Sequence, residues 1–270
     1  MPLAVCATPI GNLEDVTLRV LRELAEADLV LCEDTRRTRV LLERHGLSAT
    51  LLSYHEHNEA RRTAEVLPRI TAGDRVALVS DAGLPVISDP GARLVAAALE
   101  AGVPVTVLPG ASAVETALVA SGFMAERYQF LGYLPRSERA LGTLWDELHR
   151  WPHAAVGFES PKRLPRSLAS LARALPDRAV AVCREMTKVF EEVVRGTAAE
   201  VAALFLEPPK GEITLVLGPA AAAAATTAGE AESAAAVADL VAAGASRREA
   251  ADVVARLTGI PRRRLYRDSL

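Results

Sequence analysis

The chain has 270 residues, half of them hydrophobic, a formal net charge of -3 and three cysteines. That length suits roughly two domains of ~100–150 residues, and the charge exerts no global pull on nucleic acid, so any such binding needs a local basic patch. Cys6, Cys32 and Cys183 are odd in number and widely spaced, without a C-x-x-C pair, which argues against a disulfide framework or a structural zinc site and fits a reducing cytoplasm.

Short aliphatic runs at 3–7, 28–32, 51–55, 75–80 and 104–108 read as strands. Between them lie "TLRVLRELAEAD", "TRRTRVLLERHG", "NEARRTAEVLPRITAG" and "GARLVAAALEAG", with apolar residues three and four apart and, in three cases, a glycine stop. The alternation predicts an α/β fold with a mainly parallel sheet covered on both faces, an N-terminal domain over 1–112. The first residues already read as strand, with no basic leader, and no apolar stretch approaches the ~18–20 residues of a membrane span, so no membrane association is expected.

A helix, "SAVETALVASG", then leads to strands expected at 128–134, 154–158, 179–183, 191–194 and 213–217, a second α/β domain over 113–218. Residues 219–232, with "AAAAAATTAGEAES" following Pro219, have low complexity and read as a linker. A helical tail domain is expected over 233–270, with a capping-box spacing at Ser246 and Glu249, helix stops at Gly244 and Gly259, and a first-turn Pro261. From Gly244 onward seven arginines face three acids, so this tail carries the basic patch, either a solvated face or a nucleic-acid-docking surface that includes Arg247 and Arg248.

Three turn peptides follow strands and run into helices: "ATPIGN", "VSDAGLPVISDPG" and "LPGASA". In an open α/β sheet such turns converge beyond the carboxyl ends of the strands on one small ligand. No two glycines are spaced G-x-G and there is no Walker A sequence, so the two commonest phosphate cradles are excluded. In "SDAGLP", Gly83 can take a positive φ, Pro85 fixes the turn, and Asp81 offers a carboxylate to a hydroxyl pair. The N–H groups near Ser112 and Ala113 can hold a carboxylate at a helix start. A ribose or amino-acid moiety suits this set.

The motifs "TPIGNLEDVTLRVL", "EDTRRTRVLL", "HEHNE", "ALVSDAGLPVISDPG", "LPGASA", "FESPKRL", "REMTKVFEEVVRGT" and "KGEITLVLG", in order over residues 3–219, resemble the ribosomal RNA small-subunit methyltransferase I family, a branch of the tetrapyrrole methylases. The resemblance implies a two-domain fold with S-adenosylmethionine in the cleft between domains, usually as a homodimer, and methylation of a cytidine ribose 2′-hydroxyl in the decoding region of small-subunit rRNA, free or in the assembled small ribosomal subunit. The helix-turn-helix-like appendage resembles the tail of some members. Cofactor contacts carry over to Pro9, Ser80, Asp81, Ala82, Gly83, Pro85, Ile87, Ser112 and Ala113, and in the second domain to Glu159, Met186, Glu212 and Ile213. Many members have threonine where this chain has Leu84, which removes a hydroxyl and leaves the backbone turn intact.

A ribose hydroxyl is a poor nucleophile near neutral pH, so a base or a cation favouring the alkoxide is needed. Asp34, Arg36, His55, His57, Glu185 and Lys188 are the candidates, with Asp34 and Lys188 foremost as catalytic groups and Arg36 and His55 as substrate contacts. Asp34 also reads as the N-cap of "TRRTRVLL". Arg36, Arg37, Arg39 and Lys188 suit phosphates. His55 and His57 share an expected strand face, but no third ligand lies nearby and no metal is expected. Two rival readings are a tetrapyrrole C-methyltransferase and a non-enzymatic RNA-binding module.

Overall fold

The computed structural model describes residues 2–123, 125–220, 227–258 and 260–269, which fall into two compact units, Met1–Pro219 and Ala220–Leu270. In the larger unit, β1 (Leu3–Cys6), β2 (Leu29–Cys32), β3 (Leu51–Ser53), β4 (Val76–Val79) and β5 (Val105–Leu108) form a sheet in the order β3-β2-β4-β1-β5. Every pairing in it is parallel. Successive strand residues point to opposite faces, and both faces are covered. Leu3, Val5, Leu31 and Leu78 pack with α3 (Glu59–Thr71) and α4 (Ala92–Glu100) through Val66, Ile70 and Leu94. Ala4, Cys6, Val30 and Val79 pack with α1 (Leu18–Glu26) and α2 (Thr35–Arg44) through Val20, Leu24 and Leu41. Because the strands run in one direction, the turns after β1, β2, β4 and β5 all leave from the same edge.

The second sheet is mixed. It contains β6 (Tyr128–Tyr133), β7 (Ala154–Glu159), β8 (Ala179–Arg184), β9 (Glu192–Thr197) and β10 (Ile213–Leu217) in the order β6-β7-β10-β8-β9. Only β6 and β7 pair in parallel, and the last strand made takes the centre, antiparallel to β7 and β8. One face is closed by α6 (Glu138–Arg150), α7 (Leu164–Ala174) and α8 (Ala198–Leu204) around Trp145, Leu168, Leu171 and Val201. The other is covered by α5 (Ala113–Ser121), whose Val114, Ala117 and Leu118 lie on Val156, Ala181 and Val216. Ile10, from the turn after β1, enters this same cluster and joins the two sheets' packing.

Most strands begin and end within one residue of expectation, and two differ by more. β9 runs three residues past 194. β3 stops at Ser53, so His55 and His57 do not share a strand face. The physical cause is Asn58, whose side chain accepts from the His55 backbone N–H at 2.9 Å and donates to the Ser53 carbonyl at 3.2 Å, replacing ladder bonds.

The smaller unit consists of α9 (Thr227–Ala242), α10 (Arg247–Thr258) and α11 (Arg262–Asp268) around Val237, Ala250, Ala251, Val254 and Leu265. Ser246 and Glu249 form the expected capping box, each side chain accepting from the other's backbone N–H at 3.3 Å. Helix begins at Thr227, within the stretch read as linker, consistent with alanine's high helix propensity, while residues 221–226 lie outside the described residues. Among the described residues no helix is long and apolar enough to cross a membrane.

Candidate active site

Thr8 and Gly83 exchange backbone hydrogen bonds, Thr8 N–H to the Gly83 carbonyl at 2.8 Å and Gly83 N–H to the Thr8 carbonyl at 3.0 Å. This bridge binds the first turn peptide to the second. Gly83 takes φ +78°, as its position in the turn requires, and a Cβ there would meet Ala111 and Ile10 only at 3.8 Å. Glycine is therefore needed for conformation rather than for room.

Four non-glycine residues among those described have left-handed φ, and they come in two pairs. Val86 (+79°) and Ser88 (+65°) flank Ile87 in the loop after β4; Glu185 (+51°) and Thr187 (+66°) flank Met186 in the loop after β8. Each such residue costs of order 1–3 kcal/mol and persists where surrounding contacts over-determine it, characteristically at ligand sites. The second loop is held by a compact network. Glu185 N–H donates to the Glu212 carbonyl at 3.0 Å, and the Lys188 ammonium lies 2.8 Å from Glu185 and 2.9 Å from Glu212. The Asn12 backbone N–H donates to the Thr187 hydroxyl at 2.9 Å, closing the two walls on each other.

Between the walls lies a cavity of about 520 Å³, within the range of small-molecule sites. Of the residues singled out from the sequence, it is lined by Asp81, Ala82, Gly83, Ile87, Ser112, Ala113, Glu159, Met186, Glu212 and Ile213. A smaller neighbouring cavity of about 320 Å³ adds Pro9, Ser80 and Lys188, and the two share Ile10, Arg37, Asp81, Ala82 and Glu212. Pro85 is buried within the turn and lines neither. Leu84 lines the larger cavity and packs on the first sheet's core.

Several of the side chains singled out from the sequence are engaged in contacts within the protein. Asp34 lines neither cavity; it caps α2 by accepting from the Arg36 N–H at 2.9 Å, and its carboxylate also holds the Arg36 guanidinium at 2.6 Å. Those bonds pull its carboxyl down to about 2, too acidic for an effective base near neutral pH. Arg36 is thereby engaged and also outside the cavities, while Arg37 reaches both. Asp81 accepts the Asp34 N–H at 3.0 Å and pairs with Arg37 at 3.5 Å. The buried Glu159 carboxylate is spent on Ser160 N–H, Ser167 and Arg163, joining β7 to α7. His55 lies outside the cavities, with Nε2 3.0 Å from the Asn58 amide. Burial opposes the charge of Lys188, but hydrogen bonds to Glu185 and Glu212 raise its ammonium above the usual range, so it serves as a fixed cation. Arg247 and Arg248 start α10 in the smaller unit. Among the described residues no group of three or more His, Cys, Asp or Glu could hold a metal ion.

Sequence reasoning missed Glu33, Asp89 and Tyr133, which line the larger cavity. Burial, and then the neighbouring Glu33 charge, push Asp89 up to about 6; burial, and then Asp81, raise Glu33. Tyr133 stacks edge-on to Phe158 with centroids 5.6 Å apart. The resulting chamber combines apolar walls, a helix start and several carboxylates. It fits a nucleoside carrying an amino-acid carboxylate and a positively charged sulfur: the α5 start suits the carboxylate, Ile87 and Met186 the uncharged surfaces, and the acidic lining the cation.

Residues 2–202 match the family described as Tetrapyrrole (Corrin/Porphyrin) Methylases. A "Ribosomal RNA small subunit methyltransferase I" from Thermotoga maritima is 45% identical over 216 residues, 80% of this chain and 97% of that protein. The chain belongs to this methyltransferase I family, within the tetrapyrrole methylases. A member of the family from Synechocystis sp. is 40% identical over 270 residues and is aligned across 99% of this chain, the smaller unit included. Among solved structures, uroporphyrin-III C-methyltransferase from Thermus thermophilus, complexed with S-adenyl homocysteine, shares the fold with a TM-score of 0.55 at 21% identity, over 80% of this chain and 96% of that one.

Proposed function

We propose that this protein uses S-adenosylmethionine to methylate small-subunit ribosomal RNA, at the 2′-hydroxyl of a cytidine in the decoding region. The observation that carries the reading is membership of the methyltransferase I family by a chain whose quoted turn motifs line one chamber. When bound, S-adenosylmethionine supplies a methyl group already activated on a sulfonium. The chain's own work is then to orient the acceptor oxygen behind that carbon, exclude water and take up a proton. Gly83, Ile87, Ser112, Ala113, Met186 and Ile213 hold the cofactor. Lys188, fixed between Glu185 and Glu212, holds a cation beside the reacting groups, and Arg37 at the junction of the two cavities attracts the acceptor strand. Asp34 acts indirectly, by capping α2 and holding Arg36.

The reading extends to a homodimer working in the cytoplasm on free rRNA or an assembled small subunit; three buried free cysteines support a reducing compartment. The test is mass spectrometry of small-subunit rRNA from cells with and without this protein, followed by transfer assays with the target nucleotide in ribose or 2′-deoxy form. A 2′-O-methyl group lost with the gene, and no transfer to the deoxy substrate despite retained binding, are the expected results. Methyl incorporation into the deoxy substrate overturns the ribose assignment.

A further inference from the structure

Five carboxyl groups line the larger cavity, and three are already committed: Asp81 to the Asp34 N–H and Arg37, Glu159 to Ser160, Ser167 and Arg163, and Glu212 to Lys188. Among the described residues no basic side chain pairs with either of the other two, Glu33 and Asp89. They come from different segments, Glu33 from the residue just after β2 and Asp89 from the loop that carries the left-handed Val86 and Ser88. Strain of that kind fixes where the end of a loop sits, which is what a proton acceptor needs.

We propose that Asp89 is the catalytic base, accepting the acceptor hydroxyl's proton during methyl transfer. This rests on the methyltransferase reading above. As the O–H proton passes to the Asp89 carboxylate, the oxygen lone pair forms the new bond to the methyl carbon. The carbon–sulfur bond breaks with its electron pair on sulfur, leaving a neutral thioether and a neutral ether. The protonated Asp89 then releases its proton to water, and nothing else is consumed.

The groups around Asp89 explain why it can work near neutral pH. Burial, and then Glu33 and Asp81, oppose its ionisation, and only the nearby Ser80 hydroxyl favours it. Arg37 and His55 favour the charged form of Glu33 rather than that of Asp89. Burial, and then Asp89, Glu212 and Glu33, hold Tyr133 in its neutral form. A carboxyl near 6 is basic enough to take a proton and still ionised at cytoplasmic pH, whereas Asp34 near 2 is a far weaker acceptor.

The experiment has three arms on the full chain. Wild-type methyl transfer to small-subunit rRNA is followed from pH 5 to 9, Asp89→Asn and Asp89→Glu are compared with it, and the Asp89 carboxyl is titrated by carbon NMR in cofactor-free wild type and Glu33→Gln. Expected are an acid limb near pH 6, an Asp89→Asn rate lower by about 10²–10⁴-fold with cofactor and RNA affinities nearly unchanged, and partial recovery in Asp89→Glu. Removing the Glu33 charge should shift both the NMR titration and the acid limb to lower pH. An Asp89→Asn protein that transfers at the wild-type rate, or an NMR titration near 4, overturns the Asp89 assignment while the methyltransferase reading stands. Absence of transfer by wild type to any rRNA substrate overturns both.

Discussion

The backbone N–H of Asn12 donates to the hydroxyl of Thr187 at 2.9 Å, linking a turn that leaves the first sheet to a turn that leaves the second. The same approach leaves no space beside Gly11, where a Cβ would fall 2.7 Å from Lys188 and Thr187 side-chain atoms and 2.9 Å from the Met186 carbonyl. Thr187→Val keeps β-branching, and hence the backbone strain, while deleting the hydroxyl. With about 0.5–1.5 kcal/mol at stake for one hydrogen bond, calorimetry should show cofactor affinity reduced by up to about tenfold. Gly11→Ala should reduce it as well, by pushing the Met186 carbonyl away.

Gly83→Val tests the first wall. A left-handed β-branched residue costs at least the roughly 1–2 kcal/mol of an ordinary L-residue, and relief would break the Thr8–Gly83 bridge. Cofactor binding should be lost while circular dichroism reports a folded chain; unchanged affinity removes this turn from the site.

Asp34 and Lys188 separate by substitution. Asn is as good an N-cap as Asp, so Asp34→Asn should keep α2 and most transfer activity, whereas Asp34→Ala should destabilise the chain. Lys188→Ala leaves Glu185 and Glu212 facing each other without a cation, and should lower the transfer rate more than RNA affinity. A large rate loss in Asp34→Asn with unaltered stability would restore Asp34 to the chemistry.

Asp89 also makes a statement about stability. Its folded value of about 6 lies above the ordinary 3.8, so its contribution is complete below pH 4 and is lost as pH rises through 6. Asp89→Asn should therefore melt higher than wild type at pH 7.5 and lose that advantage at pH 4, as measured by thermal unfolding. Equal melting temperatures at both values would mean the carboxyl is not held in an unfavourable environment.

In the smaller unit Arg248, Arg256 and Arg263 are exposed, whereas Arg262 pairs with Asp252 at 3.1 Å and Arg247 donates to the Ser269 carbonyl. Truncation after Pro219 should weaken RNA binding and flatten its salt dependence, with cofactor affinity nearly intact. Arg248→Ala and Arg263→Ala should each lower the salt slope by about one. An unaltered slope in the truncated chain makes this unit a solvated appendage.

The first sheet was legible because its strands are unbroken apolar runs such as "LAVC" and "VALV", as burial on both faces dictates, closed by residues whose local sterics make turns. The turn peptides were legible for the same reason, and Gly83 sits where the turn chemistry required. The roles of single carboxylates were not. Asp34 and Asp89 look alike in sequence, each beside a turn, and differ only in their surroundings: Arg36 beside one, burial and Glu33 beside the other. The end of β3 was equally hidden, since the Asn58 side chain that terminates it lies five residues further on.

The central position of β10 has a consequence for synthesis on the ribosome. Until residues 213–217 emerge, β6–β7 and β8–β9 are two separate ribbons, each with an apolar edge whose N–H and C=O groups await a partner. Glu212, Ile213 and Thr214 complete the chamber wall in the same event. A nascent chain therefore acquires its second sheet and its ligand site together, once β10 has emerged, and a product cut short before β10 has neither.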